Sequence, residues 1–425
     1  MLSRPTGMFR RADTVVPMIP VDEFRTEART WLAEHATPRT AEGNPAAVFA
    51  EHPDEEAHVE RSKEWQRRLH DAGWAGLTWP EQYGGRGLTP SHQIVWAEEA
   101  ADFDIPTAIF SIGLGMAGPT LIVWGTEQQK DRWLPPMLLG DEIWCQLFSE
   151  PDAGSDVAAV RTRAVLDGEE YVVNGQKVWT SGAHYSKWGM LLARTDPDVP
   201  KHAGLTYLII DMDQPGVEVR PLRQMTGGAN FNEVFFHDAR VPQENVVGGP
   251  GMGWNVAITT LMNERTSIGA LSSLESQSAD TALLQLMDAV AEATGAQQTP
   301  VMRARLADLR VRMKVLEFHA ARIVARLAQG EIPTAEGSAA KLMLSDLLTR
   351  FATWGIDAQG PYGTLDGADA LADGSWAGAF LGAPGVRIAG GTDEIMRNII
   401  GERVLDLPRE PRVGRDLPFS GVADG

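Results

Sequence analysis

The sequence predicts a mainly α-helical protein with a central β domain, and the spacing of hydrophobic residues carries that prediction. Apolar residues recur at helical intervals in residues 21–140, shift towards alternation in residues 143–247, and return to helical intervals from residue 254 to about 405. Strands and helices are therefore segregated along the chain. This order argues against a doubly wound α/β fold, in which strands and helices alternate.

The N-terminal segment is predicted to be helical. Its pattern opens with apolar residues at helical spacing, namely Val21, Phe24, Ala28, Trp31 and Leu32. Thr37-Pro38 ends this pattern, because proline cannot continue a helix. Helical spacing returns in residues 62–72, and a turn-rich stretch at residues 79–85 then interrupts the helices.

One uncharged run, residues 105–125, is long enough to span a bilayer on length alone. It contains Pro106, Pro119 and several glycines, which favour a buried helix–turn–helix in a protein without a membrane span. We therefore expect no transmembrane segment.

The middle segment has the composition of β-strands. Apolar residues on both sides of Asn174-Gly175 predict a β-hairpin that turns at this dipeptide, the strongest short hairpin signal. Residues 205–210 and 233–236 are rich in β-branched and aromatic residues and predict further strands.

In the C-terminal segment, one long helix is predicted from an apolar seam. The seam steps alternate between three and four residues, at Leu306, Leu309, Met313, Leu316, Ala320, Ile323 and Leu327. Arginines on the same helix indicate either a solvated face or packing against a partner subunit. The predicted organisation is a flexible N-terminus (1–20), a helical domain (21–142), a β domain (143–250), a helical bundle (251–410) and a tail (411–425).

The charge and the cysteine content exclude several classes of protein. Asp and Glu outnumber Lys and Arg by 57 to 38, so the net charge is −19. A nucleic-acid binder needs clustered basic residues, and we expect no such partner. The single cysteine, Cys145, cannot form an internal disulfide, which indicates a cytoplasmic protein. No His, Asp or Glu cluster in the sequence has the spacing of a metal site.

Residues 149–156, SEPDAGSD, form a candidate ligand-binding turn. A small, glycine-containing turn with a hydroxyl at each end lets backbone N–H groups approach a phosphate or a ring edge. An ordinary surface turn capped by Ser and Asp would have a similar sequence.

Three stretches together resemble the acyl-CoA dehydrogenase family: Trp124–Asp156, Asn174–Ala183 (NGQKVWTSGA) and Gly390–Arg403 (GGTDEIMRNIIGER). The similarity extends from about residue 20 to residue 410. It implies an N-terminal helical domain, a middle β-barrel-like domain and a C-terminal four-helix bundle. It also implies an FAD enzyme of lipid metabolism that desaturates an acyl-CoA thioester between its α and β carbons.

The resemblance assigns the flavin contacts of the middle domain. Ser149 matches the hydroxyl that binds the flavin ring, with backbone help near Phe148. Trp179 matches the tryptophan that packs against the isoalloxazine, and Ser181 matches the hydroxyl beside it. Ser155 matches the serine near the phosphates of the cofactor and of CoA.

In the C-terminal motif, Thr392 and Glu394 match positions that contact FAD near its pyrophosphate. Gly390 stands where many relatives carry the catalytic glutamate, and glycine cannot take a proton. Its backbone N–H still matches the family donor to the thioester carbonyl, a contact that stabilises an enolate. The missing side chain also leaves room for a branched or ring-bearing acyl group.

A subset of the family carries the base on an early helix of the C-terminal domain, and Glu264 matches that position. It follows the spacing of an apolar stripe formed by Trp254, Ala257, Leu261, Ile268 and Leu271. A carboxylate on such a face must be paired or functional, and an apolar pocket would raise its pKa, as a general base needs. The alternative is a structural Glu264, paired with Arg265 or Lys341. With Ser155, Arg265 is a candidate substrate contact.

One family element is missing. Relatives usually carry Arg-x-x-Phe-Gly at the FAD diphosphate, and residues 288–307 lack it. Arg303 and Arg305 are the candidates to replace its charge, whereas Asp357 would repel a diphosphate unless its side chain faces away. Some actinobacterial relatives are heterotetramers in which one subunit type completes each FAD site.

Three functions therefore stay open. The first is an acyl-CoA dehydrogenase, homotetrameric or heterotetrameric, that passes electrons to an electron-transfer flavoprotein or another acceptor. The second is an FAD-deficient, non-catalytic subunit of a heteromeric dehydrogenase. The third is a flavin oxidase or monooxygenase on the same fold.

Overall fold

The computed structural model describes residues 18–39, 54–266, 272–328, 336–410 and 416–421. Within them, helices come first, a β-sheet follows, and helices return. This confirms the predicted mainly α fold with a central β domain. Residues 1–17 of the predicted N-terminus, and residues 411–415 and 422–425 of the predicted tail, lie outside the described residues.

The N-terminal part consists of α1 (Val21–His35), α2 (Glu55–Asp71), α3 (Pro90–Ala100), α4 (Gly118–Trp124) and α5 (Glu127–Leu139). Two short strands, β1 (Thr37–Pro38) and β2 (Phe103–Asp104), pair antiparallel. The apolar residues that predict α1 pack inwards, with Phe24, Ala28 and Leu32 fully buried. Thr126 caps α5: its hydroxyl accepts a hydrogen bond from the Gln129 amide, and its own amide donates to the Gln129 side-chain oxygen.

The uncharged run at residues 105–125 folds as a 3₁₀ turn, a π-helical turn and α4. Gly118 allows a close approach here, because a Cβ at this position would lie 2.1 Å from a ring carbon of Trp79. Among the described helices, none combines the length and the apolar character that a membrane crossing requires.

The sheet comprises β3 (Trp144–Leu147), β4 (Arg163–Asp167), β5 (Glu170–Ser181), β6 (Trp188–Arg194), β7 (Leu205–Asp211), β8 (Val217–Leu222), β9 (Phe231–Pro242) and β10 (Val246–Val247). Its strand order is β10-β7-β6-β4-β5-β9-β8, and β3 pairs parallel to β6. The strands predicted at residues 205–210 and 233–236 are confirmed, and each is longer than predicted.

The hairpin predicted at Asn174-Gly175 is wrong. Strand β5 continues through this dipeptide because it is a central strand, paired with β4 on one side and β9 on the other. The turn lies earlier, at Gly168 (φ +65°), between the paired residues Asp167 and Glu170. Asn174-Gly175 instead forms a β-bulge: the register against β9 shifts there, and the Asn174 amide exchanges two hydrogen bonds with Asp238.

The C-terminal part consists of α6 (Gly253–Thr266), α7 (Ser272–Thr294), α8 (Pro300–Ala328), α9 (Glu336–Gln359), α10 (Ser375–Val386) and α11 (Asp393–Arg403). The predicted seam of α8 is confirmed for its six described residues, all buried: Leu306, Leu309, Met313, Leu316, Ala320 and Ile323. The side chain of Leu327 lies outside the described part of the chain.

The basic face of α8 forms ion pairs within the chain. Arg310 pairs with Asp288 of α7, and Arg312 pairs with Asp346 of α9 at 2.9 Å. These contacts add to the apolar packing that joins α7, α8 and α9. Part of the charged face therefore packs against neighbouring helices rather than facing only solvent.

Candidate functional site

The turn that follows β3 is joined to the middle of β5 by hydrogen bonds. The amide of Val178 donates to the carbonyl of Ser149 at 3.0 Å, and the ammonium of Lys177 donates to the carbonyl of Phe148 at 2.9 Å. Phe148 is buried and Ser149 is half-buried. The structure thus places Phe148 and Ser149 directly beside the part of β5 that carries Trp179.

A buried ion pair lies beneath this turn. Lys177 and Glu150 are 2.8 Å apart, with side chains 0% and 8% exposed, and Glu150 also accepts from the amides of Arg161 and Thr162. Burial would raise the pKa of Glu150, but Lys177 and these donors hold it below its ordinary value. Burial lowers the pKa of Lys177 to about 8, against the opposing effect of Glu150.

Sequence reasoning missed this pair. The available signal was a lone lysine inside an apolar strand, three residues after Asn174, together with the glutamate of the SEPDAGSD turn. A charge that is fully buried needs a charged partner. That partner proves to be Glu150, so the pair holds the turn in place.

Trp179 combines an exposed indole with a strained backbone. Its side chain is 59% exposed, and its φ of +61° lies in the left-handed region at a register shift of β5 against β9. Such a conformation costs about 1–3 kcal/mol in a residue other than glycine, and it is concentrated at functional sites. Phe231 contacts the indole edge to face, with 5.9 Å between ring centroids.

Ser181 and Ser155 lie in different surroundings. Ser181 is half-buried and pairs in register with Phe231 on β9. Ser155 is exposed at the outer end of the turn, after Gly154, where a Cβ would meet nothing within 4 Å. An exposed aromatic face with hydroxyls near it fits a flat heteroaromatic ring such as a flavin.

The third group of predicted site residues lies before and within α11. Gly390 and Gly391 both have positive φ, +65° and +96°. The Thr392 hydroxyl caps α11 by accepting from the Ile395 amide at 3.2 Å, whereas the Glu394 side chain is 76% exposed. The hydrogen bonds of this loop run to α9, α10 and α11, while those of the first group run to β5.

Asp393, between these two residues, is a second group that sequence reasoning missed. It is 2% exposed and accepts from Ser345, Lys341 and Arg387. The only sequence signal was an acidic residue in the first turn of a predicted helix, which ordinarily indicates an exposed charge near the helix N-terminus.

Glu264 lies half-buried near the end of α6. This helix packs against α4, β7 and α9, and Ala257 and Leu261 of its apolar stripe belong to the largest core. The stripe residues Ile268 and Leu271 fall outside the described residues, as does the side chain of Arg265.

The two basic residues proposed around the site have partners of their own. Lys341, one alternative partner for Glu264, donates to Asp393 and to the carbonyl of Arg387, both at 3.2 Å. Arg305, one candidate for the FAD diphosphate, pairs with Asp357 at 2.6 Å. The repulsion that Asp357 would exert on a diphosphate is therefore offset by its neighbour.

Cys145 is fully buried in β3, and burial raises the pKa of its thiol to about 12. A protonated, inaccessible thiol is a packing group.

Three family models match the chain in order. They describe the N-terminal domain of acyl-CoA dehydrogenase at residues 21–141, the middle domain at 145–239 and the C-terminal domain at 251–405. Acyl-CoA dehydrogenase IpdE1 of Mycobacterium tuberculosis is 41% identical over 406 residues, which cover 93% of this chain and 100% of that protein.

Two solved structures are similar over almost their whole length. One is described as the Tcur3481-Tcur3483 steroid ACAD, with a TM-score of 0.73, 27% identity, and coverage of 92% of this chain and 98% of that one. The other is the ChsE4-ChsE5 complex from Mycobacterium tuberculosis, with a TM-score of 0.72, 28% identity, and coverage of 95% and 100%. On these matches the chain belongs to the acyl-CoA dehydrogenase family of flavin-containing oxidoreductases.

Proposed function

We propose that this protein is an FAD-dependent dehydrogenase that introduces a double bond between the α and β carbons of an acyl-CoA thioester. The observation that carries the proposal is Trp179, an exposed indole on a strained backbone beside the Ser149 turn. FAD, when bound, supplies the acceptor for the hydride that leaves the β carbon. Phe148, Ser149, Trp179 and Ser181 would hold the flavin ring.

The diphosphate end of the cofactor requires donors from elsewhere. Ser155 lies exposed at the end of its turn, and Thr392 and Glu394 lie at the start of α11. Glu394 is an acceptor only, so it suits hydroxyls of the cofactor rather than its phosphates. Helix α11 begins at Asp393, and the N-terminus of a helix favours anions.

Glu264 takes the α-proton of the substrate in this proposal, and the Gly390 N–H donates to the thioester carbonyl. The donor stabilises the negative charge that develops on that oxygen, and one such donor contributes about 3 kcal/mol in other enzymes. The two groups act on neighbouring parts of the substrate, because removal of the α-proton places negative charge on the carbonyl oxygen. Arg265 follows Glu264 and would contact the substrate beside it.

The substrate class that we propose is a ring-bearing acyl-CoA. Gly390 has no side chain, which would leave room beside the α carbon for a bulky acyl group. One of the similar solved structures is described as a steroid ACAD. A polycyclic acyl group fits both observations.

We also propose a tetramer, either of this chain alone or with a second subunit type. The similar ChsE4-ChsE5 structure is a complex of two proteins. In this chain, residues 288–307 lack the family's arginine motif, and Arg305 is already paired with Asp357. A second subunit could supply the arginine that binds the FAD diphosphate in place of the missing motif. Electrons would then pass to an electron-transfer flavoprotein.

The alternatives have less support. The relatives named above are acyl-CoA dehydrogenases, which does not favour an oxidase or a monooxygenase. A non-catalytic subunit would need no carboxylate at position 264 and no strained indole at position 179.

The first test of the proposal is bleaching of the flavin spectrum. The chain is purified alone and after co-expression with its genomic neighbours, and acyl-CoAs of different shapes are added anaerobically. We expect Glu264→Gln to retain the flavin and to slow bleaching by about 10²–10⁴-fold, the usual contribution of a general base. The matched control is Glu317→Gln on α8, an ion-paired carboxylate outside the site.

Flavin that no acyl-CoA bleaches, together with an unchanged Glu264→Gln variant, would contradict the mechanism. A colourless chain that becomes yellow only with a second subunit would support the heteromeric arrangement. Rapid oxygen consumption by the reduced protein would instead support an oxidase.

A further inference from the structure

The loop between α10 and α11, residues 387–392, carries Gly390 and contains two consecutive glycines with positive φ. Glycine backbones rotate more freely than those of other residues. A donor N–H is useful in catalysis only when it is held in the direction of the developing charge. The direction of the Gly390 N–H must therefore be set by contacts outside the glycines.

One set of contacts joins the start of the loop to α10, where the Ile388 and Ala389 amides donate to the Gly385 carbonyl at 3.1 and 2.9 Å. The side-chain contacts converge on the carboxylate of Asp393. Its Oδ2 accepts from Nε of Arg387 at 2.8 Å, and its Oδ1 accepts from Ser345 Oγ at 2.7 Å and from Lys341 Nζ at 3.2 Å. The Asp393 amide also donates to the carbonyl of Arg387 at 3.0 Å. The two ends of the loop are thus joined twice, once through side chains and once through the backbone.

The same carboxylate ties the loop to the framework of the bundle. Ser345 and Lys341 lie on α9, and Lys341 also donates to the Arg387 carbonyl at 3.2 Å. Helix α9 packs against α11 and against α6, which carries Glu264. The helix that carries the proposed base and the loop that carries the proposed donor therefore both contact α9.

The charge state of Asp393 suits this role. Burial would raise the pKa of the carboxyl, but Ser345, Lys341 and Arg387 hold it below its usual range. The carboxylate is therefore ionised at neutral pH, and charge-assisted hydrogen bonds are the stronger and more directional ones. Its side-chain partners lie on α9 and on the loop, so a role restricted to the N-terminus of α11 does not account for them.

We propose that Asp393 is a positioning residue, which orients the Gly390 N–H by tying Arg387 and α9 to the glycine loop. The inference rests on the proposed role of Gly390 as the donor to the thioester carbonyl. It adds a second requirement to that role: the donor works only while the carboxylate at position 393 closes the loop.

Asp393→Asn tests the inference, because it keeps the shape of the side chain and removes the charge. The matched control is Asp346→Asn, which also lies on a C-terminal helix and also faces two cations, Arg312 at 2.9 Å and Arg350 at 2.8 Å. The holoenzyme is measured in both variants. Ser345→Ala, which removes one donor and leaves the charge, serves as a milder variant should Asp393→Asn fold poorly.

The first measurement is hydrogen exchange of the peptide that covers residues 387–393. We expect exchange of the amide at position 393, which donates to the Arg387 carbonyl, to accelerate by about tenfold or more in Asp393→Asn, since the loop opens locally without global unfolding. Asp346→Asn should leave that peptide unchanged. Equal exchange in wild type and Asp393→Asn would overturn the inference, whatever the enzyme's activity.

The second measurement separates positioning from general damage. We expect kcat to fall on the order of 100-fold in Asp393→Asn, with KM changed little and flavin content retained, because the lost contact forms in the transition state. An unchanged kcat would overturn the link to Gly390. If none of the acyl-CoAs bleaches the flavin of the wild-type protein, the proposed function fails. The exchange comparison still decides whether Asp393 orders the loop.

Discussion

At the scale of single residues, Trp179 is unfavourable for the stability of the folded protein. An exposed indole contributes little to the core, and a positive φ is unfavourable for any residue with a Cβ. The fold tolerates both because β5 is held by β4 on one side and by β9 on the other. A ligand that stacks on the indole would recover part of that cost.

Two variants that lack the indole should differ in stability. Trp179→Gly should be more stable than Trp179→Ala by about 1 kcal/mol, because glycine adopts positive φ without strain. Both variants should lose flavin equally, since neither can stack. Thermal unfolding of the apoproteins and flavin content of the purified proteins would check this, and an alanine variant as stable as the glycine variant would contradict the strain.

The family resemblance identifies some residues of the proposed site and not others. The resemblance identifies Gly390 and Glu264, because one family position lacks its carboxylate and another carries one. It does not identify Asp393 or Lys177, although both side chains are buried and bind the loops of the proposed site. Burial depends on tertiary contacts between residues that are distant along the chain, and a single sequence does not show which residues make those contacts.

At the scale of elements, the bulge in β5 replaces the hairpin that the dipeptide Asn174-Gly175 predicted. Local turn propensity is worth about 1 kcal/mol or less, and pairing of a strand on both edges outweighs it. The bulge also has a steric requirement. A Cβ on Gly175 would lie 2.6 Å from Thr162 Oγ1 and 2.7 Å from Thr162 Cα on the approach to β4.

We therefore predict that Gly175→Ala is more destabilising than Gly168→Ala by about 1–3 kcal/mol, the usual cost of overpacking. Both positions have positive φ, so both substitutions introduce strain, but a Cβ at Gly168 meets nothing within 4 Å. Chemical denaturation of the two variants would measure the difference. Equal destabilisation would mean that Thr162 moves aside and that the bulge is not sterically constrained.

At the scale of the whole molecule, the described end of the chain returns to the middle domain. Phe419 covers the guanidinium of Arg194, 3.9 Å from its ring centroid, and its amide donates to the carbonyl of Val199 at 2.9 Å. In the same loop, Lys201 pairs with Asp156 of the SEPDAGSD turn. Residues 416–421 therefore support the loop that contacts the proposed phosphate end of the site.

Removal of this aromatic cover should loosen that loop. We predict that Phe419→Ala lowers stability by about 1 kcal/mol, the scale of a cation–π contact, and increases protease cleavage between residues 195 and 204. Leu417→Ala, at a side chain 53% exposed, should change neither property. Limited proteolysis followed by mass spectrometry would locate the cleavage, and identical fragments from both variants would argue against this support.

Hydrophobic periodicity alone determined the helix–β–helix order, the seam of α8 and several strands, because each of these depends on neighbours within a few residues along the chain. The motifs around Ser149, Trp179 and Thr392 determined the family by their order. Tertiary structure decided where the strand turns, which charges are buried together, and how the glycine loop is held. Those outcomes depend on burial and on pairing between residues far apart in sequence, where desolvation makes an unmatched charge or an unpaired strand edge costly.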